Sequence, residues 1–307
     1  MSDFTDDKAP HCIPFILSRL EEHKARFVRE PAPPFFLGVN GVQGAGKSTL
    51  VSALQRTLSS PPHNLTTVVL SIDDLYLSHS EQTALSRSNP SNPLIQHRGQ
   101  PSTHDLELGR KLFTSLQEGN PFKIPAYDKS AFNGAGDRTP EETWRTVNAE
   151  GDEKTQVVIF EGWCVGFRPL TDGELDQTWK TAVGREKLAQ LEGREPPSGR
   201  LGKQKFRNIK FINEALKGYD ELTNQLDAFI HIDAEDPIYV YDWRREAEAT
   251  LRATKGSGMT DEQVVEFVNG YYPAYELYTS DLRHGIFNDP VRQLRLVVGK
   301  DRKVKKV

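Results

Sequence analysis

The sequence predicts an α/β protein with a doubly wound, mainly parallel sheet that has helices on both faces. Short apolar, β-branched runs alternate with longer segments in which apolar residues recur three and four positions apart. This alternation is typical of parallel strands joined by crossover helices. A glycine-rich loop of the form G-x-x-x-x-G-K-[ST] also stands between the first predicted strand and the helix that follows it. Such loops occupy this position in doubly wound folds.

The elements follow one another along a single predicted domain, 1–307. An N-terminal extension (1–34) contains an amphipathic helix at 13–28, which a proline-rich stretch ends. Residues 78–103 are too irregular in pattern for a regular element, and 180–205 is interpreted as a surface insertion. A fresh helix is expected to start at Pro273. Strands are predicted at 35–39, 66–72, 156–161, 226–232 and 294–298, and helices at 49–54, 104–117 and 206–222.

The composition argues against several classes of protein. Lysine and arginine number 39 against 43 acidic residues, a formal net charge of −4, so nothing in the charge points to nucleic acid or an anionic membrane. The chain has two cysteines, no secretory signal, and no apolar stretch near the roughly 20 residues of a membrane span. We expect a cytoplasmic protein, with the nucleus as a second compartment, and a small-molecule partner. The basic segment 300–306 is interpreted as a solvated end.

The glycine-rich loop predicts a nucleoside triphosphate as ligand. Its glycines let the backbone approach an anion closely, and its N–H groups and the following helix favour phosphate. Lys47 supplies a mobile positive charge for the outer phosphates, and the Ser48 hydroxyl is a ligand for Mg²⁺. The predicted nucleotide-binding residues, for ATP, are Gly41, Val42, Gln43, Gly44, Ala45, Gly46, Lys47, Ser48 and Thr49.

Carboxylates follow the second and third predicted strands. Asp73 and Asp74 come after 66–72, at the edge where ligands bind in open α/β sheets. One of them is positioned to accept a proton from a hydroxyl that attacks the γ-phosphate, although a helix cap is an equal alternative. Glu161 ends the third strand, a position typical of a carboxylate that holds Mg²⁺ directly or through water.

Two loop segments are interpreted as an acceptor pocket. For a small anionic acceptor the candidate cations are Arg98, Lys129 and Arg138. For a nucleoside acceptor an aromatic slot would serve, and the residues available for it are Tyr76, Tyr127 and Phe132. His104 and Asp105 are further candidates for binding the substrate, but they could equally well be cap residues of the helix that follows them. The residues do not choose between these alternatives.

Several longer strings resemble those of the uridine kinase, phosphoribulokinase and pantothenate kinase group of P-loop kinases. They are SIDDLYL at 71–77, NPLIQHRGQPSTHD at 92–105, IPAYDKSAFNGAGDR at 124–138 and IFEGW at 159–163. In this order they resemble the D-glycerate 3-kinase branch, as do YDWRREAE at 241–248 and YPAYELY at 272–278. Leu75 departs from the group, where an aromatic residue is common.

The resemblance implies a P-loop kinase fold with a lid helix and an ATP-dependent phosphotransferase, with D-glycerate as the first acceptor. It gives the general-base role to Asp73 rather than Asp74, and Mg²⁺ to Ser48 together with Glu161. It also implies that Arg244 or Arg245, on the lid helix, contacts the transferring phosphoryl group. The alternatives are a nucleoside or pantothenate kinase, and a nucleotide-binding regulatory protein.

Overall fold

The computed structural model describes residues 6–27, 32–193, 199–256 and 258–307. The α-helices are α1 (Ala9–Ala25), α2 (Lys47–Leu58), α3 (His79–Ser88), α4 (Leu106–Gln117), α5 (Asp172–Leu191), α6 (Phe206–Leu216), α7 (Asp220–Thr223), α8 (Tyr239–Lys255) and α9 (Asp261–His284). The strands are β1 (Phe35–Gly41), β2 (Thr67–Ser71), β3 (Phe122–Ile124), β4 (Tyr127–Asp128), β5 (Asp137–Arg138), β6 (Arg145–Val147), β7 (Val157–Gly162), β8 (Ala228–Ala234), β9 (Gln293–Val298) and β10 (Val304–Lys306).

The main sheet runs in the order β10-β9-β8-β1-β7-β2. The five predicted strands are all present in it and are mutually parallel, whereas β10 pairs antiparallel with β9 at one edge. Since β7 lies between β1 and β2, its last carboxylate stands between the loop after β1 and the turn after β2. All three segments therefore share the carboxyl edge of the sheet, where ligands bind in this architecture.

The centre of the sheet is covered on both faces. Every residue of β1 and of β8 is buried, which requires packed layers above and below because side chains alternate between faces. The predicted N-terminal helix is confirmed as α1, which packs on α2, β1 and β8. No described helix is long and apolar enough to cross a membrane.

Two of the predicted boundaries are wrong. The segment 78–103 contains α3, which a capping box starts: the Ser78 hydroxyl accepts from the Glu81 N–H while the Glu81 carboxylate accepts from the Ser78 N–H. Helix α3 was missed because it is polar almost throughout. Pro273 does not start a helix, because it lies inside α9, which begins at a second capping box made by Thr260 and Gln263.

Other segments depart from, or lie outside, the predictions. The first part of 180–205 continues α5, and residues 194–198 lie outside the described part of the chain. The basic segment 300–306, interpreted as a solvated end, forms instead a turn and strand β10. Two ribbons, β3–β6 and β4–β5, were not predicted. Strands of two or three residues are too short to show the alternation on which strand prediction depends.

Candidate active site

The phosphate loop (residues 41–48) connects β1 to α2 as predicted. Gly44 and Gly46 adopt positive φ angles of 83° and 93°, a region that residues with a Cβ rarely enter. Gly44 also lies against α8: a Cβ there would stand 2.5 Å from the Cβ of Trp243. Lys47 and Ser48 fall in the first turn of α2. The helix start and the loop backbone therefore form an anion site.

Glu161 has the surroundings expected of a magnesium-binding carboxylate. It is half-buried near the end of β7, paired in register with Val39 and Ser71. Its carboxylate makes no hydrogen bond or ion pair with another described residue, although its charge helps to raise the pKa of Asp74. Glu161 and the exposed Ser48 offer oxygen ligands, which suit Mg²⁺ that keeps several waters and binds nucleotide phosphates.

Asp73 is ionised and faces an exposed cation. It lies in the single turn that follows β2, with its carboxylate Oδ2 2.5 Å from the Lys129 ammonium. Burial acts to raise the pKa of Asp73, but the charge of Lys129 and its hydrogen bond hold that pKa below the usual value. The Asp73 side chain is 26% exposed. A deprotonated carboxylate in this position can accept a proton from a bound hydroxyl.

The adjacent Asp74 serves a different purpose. Its carboxylate accepts a hydrogen bond of 3.2 Å from the Tyr127 backbone N–H, which attaches strand β4 to the end of β2. Burial is the main reason that the pKa of Asp74 rises to about 6, with the charge of Asp73 acting in the same direction. The pKa of Asp73 is therefore lowered, whereas that of its neighbour Asp74 is raised. The role of Asp73 as the base stays a prediction.

His104 presents a neutral donor to the same side of the sheet. It is buried, its ring stacks on Tyr76 at 4.6 Å, and its Nδ1 lies 2.6 Å from the Tyr219 hydroxyl. That hydroxyl accepts from the Ser102 N–H at 3.1 Å, and among the described residues Nδ1 is the one acceptor within reach of its own proton. The network therefore assigns the proton of His104 to Nε2. Burial lowers the pKa of His104 to about 4, so the ring stays neutral at physiological pH.

The Nε2 atom of His104 is buried and has no hydrogen-bond partner among the described residues. Buried donors are almost always satisfied in native proteins, so an orphaned one is a reason to expect a ligand. The Tyr127 hydroxyl is a second buried group without such a partner. His104 is close enough to Asp73 for the carboxylate charge to act on its pKa. Asp73, Tyr76, His104, Tyr127 and Lys129 are hereafter the acceptor side of the site.

Arg98, one of the cations predicted to bind an anionic acceptor, donates its hydrogen bonds to backbone carbonyls of the protein. Its guanidinium donates to the carbonyls of Gly134 and Ala135, at 2.7 and 2.5 Å, and lies 5.6 Å from the centre of the Tyr127 ring. These contacts fix the loop between β4 and β5 above the acceptor side. Arg98 therefore helps to shape the pocket. The cation that contacts the Asp73 carboxylate is the ammonium of Lys129.

Arg138 and Asp105 form a second support. The Arg138 guanidinium donates to the Tyr76 carbonyl at 3.1 Å and to the Asp105 carboxylate at 3.0 Å. Asp105 also caps α4, because its carboxylate accepts from the Leu108 N–H at 2.9 Å. The capping alternative for Asp105 is confirmed. Its substrate-binding role, like that of Arg138, stays a prediction.

The two arginines of α8 have different surroundings. Arg244 pairs with the buried carboxylate of Glu248 and lies 4.9 Å from the centre of the Phe267 ring. Arg245 pairs with Asp242 at 3.1 Å, on a more exposed part of the helix. Only three or four residues separate the partners in each pair, so both arginines are held by their own helix.

The charges of Asp73 and Arg244 both act on Tyr271. Burial raises the pKa of Tyr271, the Asp73 charge raises it further, and the charges of Arg98 and Arg244 lower it. The Tyr271 hydroxyl donates to the Arg98 carbonyl at 3.1 Å. Arg244 is also connected to Tyr271 through Phe267, because the Arg244 guanidinium lies 4.9 Å, and the Tyr271 ring centre 4.8 Å, from the centre of the Phe267 ring.

Sequence analysis missed Asn40, Tyr219 and Tyr271. Asn40 is a buried amide that donates to the carbonyls of Trp163 and Val165, at 3.0 and 2.8 Å, and so fixes the segment after Glu161. A polar residue in an otherwise apolar strand, directly before the loop, was a signal for it. Tyr219 and Tyr271 gave no such signal, since aromatic residues at helical spacing look like core.

The chain is similar to known kinases over most of its length. No protein-family model matches the chain. The chain is 37% identical over 267 residues to an uncharacterised kinase of Schizosaccharomyces pombe, covering 85% of this chain and 88% of that one. A solved structure of D-glycerate 3-kinase from Cryptococcus neoformans has a TM-score of 0.86 at 34% identity, covering 98% of this chain and 99% of that chain. The chain belongs to the D-glycerate 3-kinase branch of the P-loop kinases.

Membership of this branch confirms the predicted fold class and an ATP-dependent small-molecule phosphotransferase. The chloroplastic D-glycerate 3-kinase of Arabidopsis thaliana is a further relative, 34% identical over 288 residues. That match covers 91% of this chain and 56% of the plant protein, so the chain spans little more than half of its length. The phosphate loop is hereafter called the donor half of the site.

Proposed function

We propose that the chain transfers the γ-phosphoryl group of ATP to the 3-hydroxyl of D-glycerate, giving 3-phosphoglycerate. The observation that carries the proposal is the contact between Lys129 and Asp73, whose Nζ and Oδ2 atoms lie 2.5 Å apart. The pair stands at the carboxyl edge of the sheet, where ligands bind in this architecture. A hydroxy acid matches both residues of the pair, because its carboxylate can bind the Lys129 ammonium and its hydroxyl can donate to the Asp73 carboxylate.

Binding of the acceptor would exchange these partners. The Lys129 side chain is 57% exposed, so it can turn toward a substrate carboxylate at little cost. That movement frees the Asp73 carboxylate to accept from the substrate hydroxyl, and the loss of the Lys129 charge makes Asp73 a stronger base. Charge-assisted hydrogen bonds of this kind are about twice as strong as neutral ones and orient the hydroxyl. The Nε2–H of His104 is a further donor for a substrate oxygen.

In the transfer step the hydroxyl oxygen of glycerate attacks the γ-phosphorus as the bond to the ADP oxygen breaks. Its proton passes to the Asp73 carboxylate. The ammonium of Lys47 and the loop N–H groups stabilise the charge on the phosphates, and Arg244 would reach the transferring group from α8. Mg²⁺, held by Ser48 and Glu161, would neutralise charge on the outer phosphates when bound.

A nucleoside acceptor is the second candidate, and the aromatic residues argue against it. Tyr76 is 3% exposed and already stacks on His104. Phe132 stacks on His79, with ring centres 3.9 Å apart. A flat base would have to displace one of these contacts to enter an aromatic slot. A small hydroxy acid requires no such rearrangement, and its carboxylate needs only the exposed Lys129.

An acceptor panel tests the proposal. Purified protein with MgATP is assayed for ADP release with D-glycerate, L-glycerate, uridine and pantothenate, and without acceptor. We expect D-glycerate to give the highest kcat/KM, with only slow hydrolysis in its absence. Product analysis should find the phosphate on the 3-hydroxyl. A higher kcat/KM for uridine or pantothenate would overturn the glycerate proposal while leaving the kinase assignment in place.

A further inference from the structure

The turn between β9 and β10 packs against the phosphate loop. From this turn the Nε atom of Arg302 donates a hydrogen bond of 2.8 Å to the Gly44 carbonyl. Its guanidinium lies 5.4 Å from the centre of the Trp243 ring, the residue beneath Gly44, and also pairs with Glu246 at 2.5 Å. The Arg302 side chain is only 16% exposed. It is therefore part of the wall of the donor site.

The backbone of Arg302 is strained. Its φ angle is +61°, in the left-handed region that suits glycine or asparagine. The Arg302 N–H closes the turn by donating to the Gly299 carbonyl at 2.8 Å. The hydrogen bond that closes the turn is made by the backbone, so a glycine could close it without this strain. A strained non-glycine residue beside a binding loop is a reason to look for a function.

A second cation reaches the same place from the segment before α1. The Lys8 side chain is 6% exposed, and its ammonium donates to the Arg302 carbonyl at 2.7 Å and contacts the Asp7 carboxylate at 3.4 Å. The ammonium lies 3.7 Å from where a Cβ on Gly46 would stand. Asp7 in turn accepts from the Val304 N–H at 2.9 Å, so it ties this segment to β10.

These contacts bear on the loop that holds the nucleotide phosphates. In a planar trans peptide the C=O and the next N–H point in opposite directions. A carbonyl of Gly44 that is held by Arg302 therefore fixes the orientation of the peptide that follows it. A loop fixed in this way loses less conformational entropy when it closes around a triphosphate.

We propose that Arg302, supported by Lys8, is a positioning residue for the nucleotide: it holds the phosphate loop in the form that binds ATP. Arg302 acts through the Gly44 carbonyl and does not need to touch the ligand. The role depends on ATP binding at the phosphate loop and not on the identity of the acceptor, so it would survive the failure of the glycerate proposal.

Direct binding of ATP, measured by calorimetry without any acceptor, tests this role. Arg302→Gly is the main variant, because glycine adopts the left-handed turn without strain and should preserve the melting temperature. Loss of a charge-assisted hydrogen bond predicts that the Kd for ATP rises about tenfold. In the kinase assay, KM for ATP should rise with it while kcat at saturating ATP stays unchanged.

Two further variants complete the test. Arg302→Lys keeps the charge but not the planar fork, so its Kd for ATP should lie between those of the wild type and Arg302→Gly. Lys305→Met removes an exposed cation of the same hairpin that pairs only with Asp301 in the described structure, and its Kd should equal the wild-type value. An unchanged Kd for ATP in folded Arg302→Gly would overturn the proposal. If Arg302→Gly does not fold, an unchanged Kd for Arg302→Lys would do the same.

Discussion

The donor and acceptor halves of the site are built in different ways. The phosphate loop is one contiguous stretch, 41–48, that works mainly through backbone N–H groups and glycine conformations. The acceptor side is assembled from segments after β2, before α4 and along the β4–β5 ribbon. It works through side chains, which an ion pair, ring stacking and a tyrosine–histidine hydrogen bond hold in place.

This difference explains what each half can recognise. Backbone groups bind a phosphate whatever molecule carries it, so the donor half suits any nucleoside triphosphate of the right size. Side chains from separate segments can be exchanged one at a time, so the acceptor half is where a new substrate would be selected. Substitutions on the acceptor side should change KM for the acceptor or kcat and leave ATP binding intact.

The largest effect is expected for Asp73→Asn. The amide keeps the size of the side chain but cannot accept the substrate proton, so kcat should fall about 10²–10⁴-fold. ATP affinity should stay at the wild-type value. ADP release with D-glycerate and calorimetric ATP binding measure the two quantities. Asp128→Asn, an exposed carboxylate that binds Ser130 in the same ribbon, is the matched control. Robust turnover of Asp73→Asn would remove the base role.

The second-largest effect on kcat is expected for one of the two arginines of α8. Arg244 shares Tyr271 with Asp73, so Arg244→Gln should lower kcat by about 10²–10³-fold if its charge stabilises the transferring phosphoryl group. Arg245 pairs with the exposed Asp242, and Arg245→Gln should leave kcat close to the wild-type value. Steady-state kinetics at saturating ATP and acceptor compare the two variants. The reverse order would assign the phosphoryl contact to Arg245.

Substitution of His104 is expected to have a smaller effect, confined to KM for the acceptor. His104→Gln alters the donor at Nε2 and should raise KM for the acceptor about tenfold, as one lost polar contact would. Tyr219→Phe leaves Nδ1 without its hydrogen bond and should raise the same KM by less. Since the pKa of His104 is about 4, neither effect should vary between pH 6 and pH 8. Wild-type acceptor KM in both variants would contradict this role.

The smallest effect concerns stability and its pH dependence. Burial raises the pKa of Asp74 to about 6, so ionisation of this group opposes folding. That penalty is absent below the unfolded pKa, of about 4, and is complete once the pH has risen through the folded value. Asp74→Asn, whose carbonyl can still accept from Tyr127, should therefore stabilise the protein by about 1–2 kcal/mol at pH 8, with partial exposure allowed for.

Urea unfolding without nucleotide or metal, at pH 8 and pH 4, measures this gain. The free-energy difference between Asp74→Asn and the wild type should shrink to a small fraction at the lower pH, because at pH 4 the wild-type carboxyl group is protonated in the folded state and about half protonated in the unfolded state. A constant difference at both pH values would show that the stabilisation does not come from ionisation of Asp74.

Sequence reasoning reached local features and missed those that depend on packing. The phosphate loop was readable because its contiguous residues carry their own geometry, and the five parallel strands because buried strands are apolar. Helix α3 was not predicted because it is polar, and the two ribbons were not predicted because their strands are short. The resemblance to the kinase branch favoured Asp73 over Asp74 as the base, but the ion pair of Asp73 with Lys129, 56 residues further along the chain, was visible only in the structure.

The sequence by itself determined the sheet, the phosphate loop, the likeness to the kinase branch and the residue types at the carboxyl edge. These depend on periodicity and on residues that are neighbours in the chain. Only the tertiary structure decided that His104 is a neutral donor, that Arg98 supports a loop, and that Arg302 holds Gly44. Each of these roles depends on burial or on a partner distant in sequence, and the burial and distance that set a hydrogen bond or a pKa exist only after folding.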